Sequence, residues 1–200
     1  MKRKELLVLI VVIFFSLNLQ AQSPKLKKAF NGKNLKCWVA PDNNIWWTAK
    51  DGILSARSGP EKQGSILWTK KDYKDFVIEA EFLMGKGTVD SGIFIRTDTQ
   101  QIQIGESGSL KRDMTCSPYI PGKGYPVEAT DIDKLMKLND WNTIKVRAIG
   151  NQYTTWLNGE EVMNYTSTDG IAEGPIGLQL HPKRNMEIDF RNIRIGKVKS

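Results

Sequence analysis

The chain has one histidine, His181, and two cysteines, Cys37 and Cys116, among 200 residues. That scarcity, with no carboxylate cluster close to His181, fits none of the usual transition-metal patterns, although an oxygen-only calcium site stays open; no metal and no cofactor is expected. The two cysteines could pair in an oxidising compartment, or lie apart as small buried residues, depending on a Cα separation that sequence does not give. Sustained helical periodicity is missing too, apart from a weak candidate over Asp131 to Leu138, and there is no internal repeat or low-complexity linker. A helical bundle or a solenoid is therefore excluded. The +7 formal charge comes from scattered bases (Lys25, Lys27, Lys28, Lys33, Lys70, Lys71, Arg147, Arg191), not from a basic arm or helix. No nucleic-acid partner is expected, and the excess is read as solubility.

A long hydrophobic run occurs only at the start. Lys2, Arg3 and Lys4 precede an apolar stretch from Leu6 to Phe15 and a polar stretch ending at Ala21, the layout of a secretory signal peptide over residues 1–21. The run is shorter than the roughly 20 apolar residues of a membrane span, which makes a retained anchor the lesser alternative. No cysteine follows the expected cleavage point, so a lipid anchor is not supported. The expectation is an exported protein, periplasmic or secreted, without a stable membrane anchor after cleavage. Residues 22–200 then suit a single domain, of all-β type or compact α+β.

Period-two alternation is what the rest of the chain has. In DFVIEAEFLM (75–84), Phe76, Ile78, Ala80 and Phe82 share a face opposite Glu79 and Glu81. In WNTIKVRAIG (141–150), Ile144, Val146 and Ala148 oppose Lys145 and Arg147, and in MEIDFRNIRIG (186–196), Ile188 and Phe190 oppose Glu187, Asp189 and Arg191. These are half-buried antiparallel strands. Asp51-Gly52 and Asn158-Gly159 mark tight hairpins, because both residue pairs tolerate positive φ. Roughly eight to ten such strands imply an all-β sandwich or jelly roll. Trp46, Trp47, Trp68 and Trp141 are expected in its core. Residues 106–128, rich in Ser, Gly and Pro, make a loop too long for an ordinary hairpin and hence a functional candidate.

The same alternation assigns a second face. In GPIGLQLH, Ile176, Leu178 and Leu180 point to the core while Gly177, Gln179 and His181 point away; likewise Phe94 and Arg96 oppose Ile93 and Ile95, Gln101 and Gln103 oppose Ile102 and Ile104, and Trp156 opposes Tyr153, Thr155 and Leu157. Arg96, Gln101, Gln103, Trp156, Gln179 and His181 make an inventory of planar amides, a guanidinium and an indole suited to reading hydroxyls and stacking on a sugar. Each has an ordinary reading beside it. His181 could be a structural histidine, Arg96 a partner of Asp90, Asp98 or another carboxylate, and Trp156 a core residue. Glu106 and Asp113 could be solvated loop carboxylates.

FNGKNLKCW, WWTAKDGILSA, DFVIEAEF, DSGIFIR, DWNTIKVRAIGNQYTTWLNGEEV, GPIGLQLH and IDFRNIRI, in that order, resemble the 3-keto-disaccharide hydrolase domain from about Lys28 to Val198. The resemblance implies a concanavalin-like jelly roll of two antiparallel sheets and chemistry on glycosides whose C3 hydroxyl has become a ketone. It makes Glu106 the best match for the family's site carboxylate, with Asp113 second. A 3-ketone acidifies the C2 proton, which opens a route of proton abstraction, elimination at C1 and hydration. His181 suits the base, since imidazole ordinarily titrates at about pH 6.5. Arg96 and Gln179 suit the enolate, Glu106 or Asp113 the leaving oxygen, and Tyr119 and Tyr125 a cover over the sugar. The partner is then an oligosaccharide or glycoside. A non-catalytic carbohydrate-binding module and an ordinary endo-glycosidase are the competing readings.

Overall fold

The computed structural model describes residues 24–198; the proposed leader lies outside them. The strands are β1 (Lys27–Lys28), β2 (Trp38–Val39), β3 (Trp47–Lys50), β4 (Ile53–Arg57), β5 (Ser65–Tyr73), β6 (Phe76–Gly87) and β7 (Asp90–Ile95), then β8 (Gln101–Gly105), β9 (Pro118–Tyr119), β10 (Asn142–Ile149), β11 (Gln152–Leu157), β12 (Glu160–Thr166), β13 (Gly174–Leu180) and β14 (Met186–Lys197). The expected helix over Asp131 to Leu138 shrinks to a single turn, α1 (Ile132–Leu135), with no buried residue. Too short to bury a face, it is a connection and not a core element.

Two antiparallel sheets form, as the alternation requires. One runs β12-β11-β10-β6-β14-β4-β3 with β1 added against β14; the other runs β2-β5-β13-β7-β8-β9. The hairpin signals hold: Asp51 and Gly52 have φ of 51° and 84°, Asn158 and Gly159 of 51° and 100°, the paired positive values of a tight two-residue turn. More strands are present than expected, three of them two-residue pieces that carry no periodicity of their own.

The core lies between the sheets. Ile78, Phe82, Ile144, Val146, Ile188 and Phe190 from the larger sheet and Leu67, Ile93, Ile95, Ile102, Ile176 and Leu178 from the smaller are fully buried. Each contributes about 1.5–3 kcal/mol of apolar burial. Trp47 joins this core, as does Trp38, but three tryptophans expected there do not. Trp46 is half-buried and packs on the core's margin. Trp141 is half-buried with the Arg191 guanidinium 4.0 Å from its ring centre. Trp68 lies on the outer face of the smaller sheet, because β5 buries Ser65, Leu67 and Thr69 and leaves the intervening positions outside. The cysteines do not pair: Cys116 is buried and Cys37 exposed. Burial pushes the Cys116 thiol well above its ordinary range, which keeps it unreactive.

Candidate functional site

The outer face of the smaller sheet carries a cavity of about 460 Å³ built over β13, β7 and β8. Its floor is a ladder of amides. Gln101 Nε2 donates to Gln103 Oε1 at 3.0 Å and to Gln179 Oε1 at 2.9 Å, and Gln103 Nε2 donates to Asp90 Oδ1 at 2.9 Å. The Asp90 carboxylate accepts only, and this fixes the ladder's polarity. Gln103 must present its nitrogen to Asp90, so its oxygen faces Gln101, whose nitrogen then faces the oxygen of Gln179. The Gln179 amide oxygen is thereby engaged, and its amide nitrogen remains available to donate. Gln101 reaches β13 by crossing β7 at Gly92, where a Cβ would stand 2.2 Å from its amide nitrogen. No residue with a side chain fits at that crossing.

His181 closes one end. Its Nδ1 lies 2.7 Å from the Pro182 carbonyl oxygen and 3.9 Å from Asp90 Oδ2. Its side chain remains 37% exposed. Arg184 Nε donates to the same Asp90 oxygen at 3.3 Å, while its buried Nη2 has no hydrogen-bond partner. Gly108 sits over this pair, with a position for Cβ 3.0 Å from Asp90 Oδ2 and 3.3 Å from Arg184 Nη2. The long loop forms the remaining wall through Ser107, Lys111, Tyr119 and Tyr125. The two tyrosine rings are 5.2 Å apart at 55°. Burial pushes the Tyr125 phenol up to about 12; the Ser107 hydroxyl works against that shift, while Asp90 and Tyr119 add to it.

The structure therefore brings together Gln101, Gln103, Tyr119, Tyr125, Gln179 and His181. Glu106 reaches the site only indirectly, with its Oε1 3.8 Å from Arg184 Nη2. Three candidates stand elsewhere. Asp113 holds its own loop, accepting from the Thr115 backbone N–H at 2.8 Å and hydroxyl at 2.6 Å. Arg96 is 3% exposed and donates to the carbonyls of Lys74, Gly150 and Ile171 at 2.7, 2.7 and 3.0 Å. Its φ of 63° breaks the strand alternation one residue past β7 and turns the side chain into this carbonyl cage. Burial lowers its pKa, against the pull of Tyr153 and Asp75. Trp156 does face away from the core, but on the larger sheet, where Lys145 Nζ lies 4.1 Å and the Arg147 guanidinium 5.5 Å from its ring centre.

Sequence reasoning missed Asp90 and Arg184 as site residues. Asp90 shares the outward parity of Phe94, four residues on, and was legible by that rule. Arg184 lies in the turn after β13, where no periodicity applies. Among the described residues, no group of three or more His, Cys, Asp or Glu side chains is placed to hold a metal ion. None of the described helices is long and apolar enough to cross a membrane.

The family described as the 3-keto-alpha-glucoside-1,2-lyase-like domain matches residues 25–196. No curated protein matches the sequence. Among solved structures, a candidate glycosyl hydrolase from Parabacteroides distasonis ATCC 8503 is 23% identical, with a TM-score of 0.65 over 86% of this chain and 99% of its own. A second from the same organism is 16% identical, with a TM-score of 0.66 over 87% and 94%. Carbohydrate binding module CBM66 from Bacillus subtilis is 15% identical, with a TM-score of 0.59 over 80% and 96%. These likenesses establish the fold as the concanavalin-like sandwich.

Proposed function

The chain belongs to the 3-keto-alpha-glucoside-1,2-lyase-like domain family, and from that premise we propose that it breaks the glycosidic bond of 3-keto-glycosides by elimination followed by hydration. The supporting observation is the set of groups lining the cavity: one imidazole, one guanidinium whose Nη2 has no hydrogen-bond partner, a directed amide nitrogen and a single carboxylate, Asp90, already engaged by Arg184 and Gln103. Ordinary glycoside hydrolysis needs two opposed carboxylates across the scissile bond. A 3-keto sugar needs one base and donors for an enolate.

In this reading His181 takes the C2 proton, and the electron pair moves to the C3 oxygen. Arg184, with Lys111 and Lys183 on the rim, supplies the positive field that Arg96 cannot, and the Gln179 amide nitrogen donates to the same oxygen. Fixed donors aimed at developing charge contribute about 3 kcal/mol each. When the enolate collapses, the C3 ketone re-forms, a C1–C2 double bond appears and the C1–O bond breaks. The departing oxygen takes the proton that His181 carries, and water then adds at C1. Tyr125, whose phenol stays neutral at working pH, covers the sugar as a hydrogen-bond donor. Export is proposed with this function, on the leader at residues 1–21.

The amide ladder by itself also suits a non-catalytic carbohydrate-binding module. A time course of the mature protein with a 3-keto-disaccharide and with its unoxidised parent separates the two. Release of free sugar from the ketone alone, lost by at least about a hundredfold in H181A, is the expected result. Binding without release from either substrate overturns the lyase and leaves the module, and release from the unoxidised parent points to an endo-glycosidase.

A further inference from the structure

Beside the main cavity, on the other side of β13, lies a groove of about 380 Å³ lined by Gly64, Ile66, Trp68, Gln179, Leu180 and Pro182. It joins the main cavity through Gln179 and Pro182, which border both. Its wall is aromatic. The Trp68 indole lies across β13 over Gly177, where a Cβ would stand 2.7 Å from ring atoms Cε3 and Cζ3. Its far side leans on Phe94, with ring centres 5.6 Å apart at 32°. Gly177 is thus the gap that lets the indole lie down, and Phe94 holds it there. Trp68 is only partly covered, and among the described residues no protein group accepts from its N–H. A large apolar ring backed by packing, with a polar edge left in water, has the form of a stacking platform.

We propose that Trp68 forms a second sugar subsite, which holds the leaving sugar of a disaccharide or longer glycoside while the oxidised ring occupies the main cavity. The assignment of which sugar goes where rests on the lyase reading. With His181 at C2, the adjacent C1 and its leaving oxygen lie at the ridge made by His181 and Pro182, and the Trp68 groove is what lies across that ridge. The platform accounts for a tryptophan on an outer face that the catalytic groups do not use. It makes the substrate class a glycoside with a sugar aglycone, not one with a small alkyl group.

The test is a binding measurement, so that it does not depend on turnover. H181A protein labelled with 5-fluorotryptophan is titrated with the 3-keto forms of maltose and trehalose and with methyl 3-keto-α-glucoside, and the fluorine resonance absent from W68F is followed. The expected result is a shift of that resonance with a disaccharide but not with the methyl glycoside. In calorimetry, the preference for disaccharide over methyl glycoside should fall about tenfold in W68A, with W68F between the two. Equal losses for both ligands, no preference in the parent protein, or an unmoved Trp68 resonance would each overturn the subsite. Failure of the lyase reading shows separately, as absence of product from unmutated protein that still displays the Trp68-dependent preference.

Discussion

Asp90 and Arg184, 94 residues apart in sequence, meet at the mouth of the cavity with Arg184 Nε 3.3 Å from Asp90 Oδ2. The carboxylate is 3% exposed and the arginine side chain 18%. One oxygen of Asp90 thereby holds the guanidinium, and the other orients Gln103. The guanidinium and the amide ladder share one anchor.

Removing that anchor's charge while keeping its shape should disturb both. D90N leaves Arg184 without its counter-charge and offers Gln103 an amide that no longer dictates polarity. Stability should fall by about 2 kcal/mol, read by chemical denaturation, and affinity for a 3-keto-disaccharide by at least tenfold, read by calorimetry. Unchanged affinity would show that the ladder's direction is immaterial to the ligand.

Gln103 is the hinge of that direction. Q103E puts a second carboxylate where an amide nitrogen now lies 2.9 Å from Asp90 Oδ1. Two carboxylates this close cannot both stay ionised cheaply, so one gains a proton more readily. The stability deficit of Q103E relative to the parent should shrink as pH falls from neutral, whereas Q103L should show a deficit independent of pH. Thermal melts across that range decide between them.

Arg96 belongs to the fold, not to the site. R96K cannot reproduce a fork that donates to several carbonyls, and it should cost about 3 kcal/mol of stability. The folded fraction should bind the 3-keto-disaccharide within twofold of the parent. A large affinity loss at full folding would return Arg96 to the site.

Tyr125 makes a contribution that depends on pH with a definite sign. Its phenol rises from 10.0 to about 12 on folding, so the folded state keeps a proton that the unfolded state loses. The resulting stability is complete below pH 10 and disappears as pH rises towards 12. In alkaline denaturation Y125F should lose stability less steeply than the parent between those values. Parallel curves would mean that the phenol titrates alike in both states.

By itself the sequence determined the two-sheet fold, most strand positions and the inside or outside of most residues in β6, β7, β8, β10, β11, β13 and β14, though not of Trp68 in β5. Side-chain parity is local, and a residue such as Leu178 needs only its own strand to reveal its face. The same rule identified Gln101, Gln103, Gln179 and His181, and the loop composition pointed to Tyr119 and Tyr125. Parity says in or out, however, and not which sheet: Trp156 faces outward as expected but on the wrong sheet for the cavity. It also lapses where the backbone leaves the extended region, and Arg96 at φ 63° turns inward one residue beyond its strand. Only the tertiary structure decided that β13 lies between β5 and β7. That neighbourhood sets Asp90 against Arg184 and Trp68 beside Gln179, because contacts between strands distant in sequence depend on how the sheets close around the core.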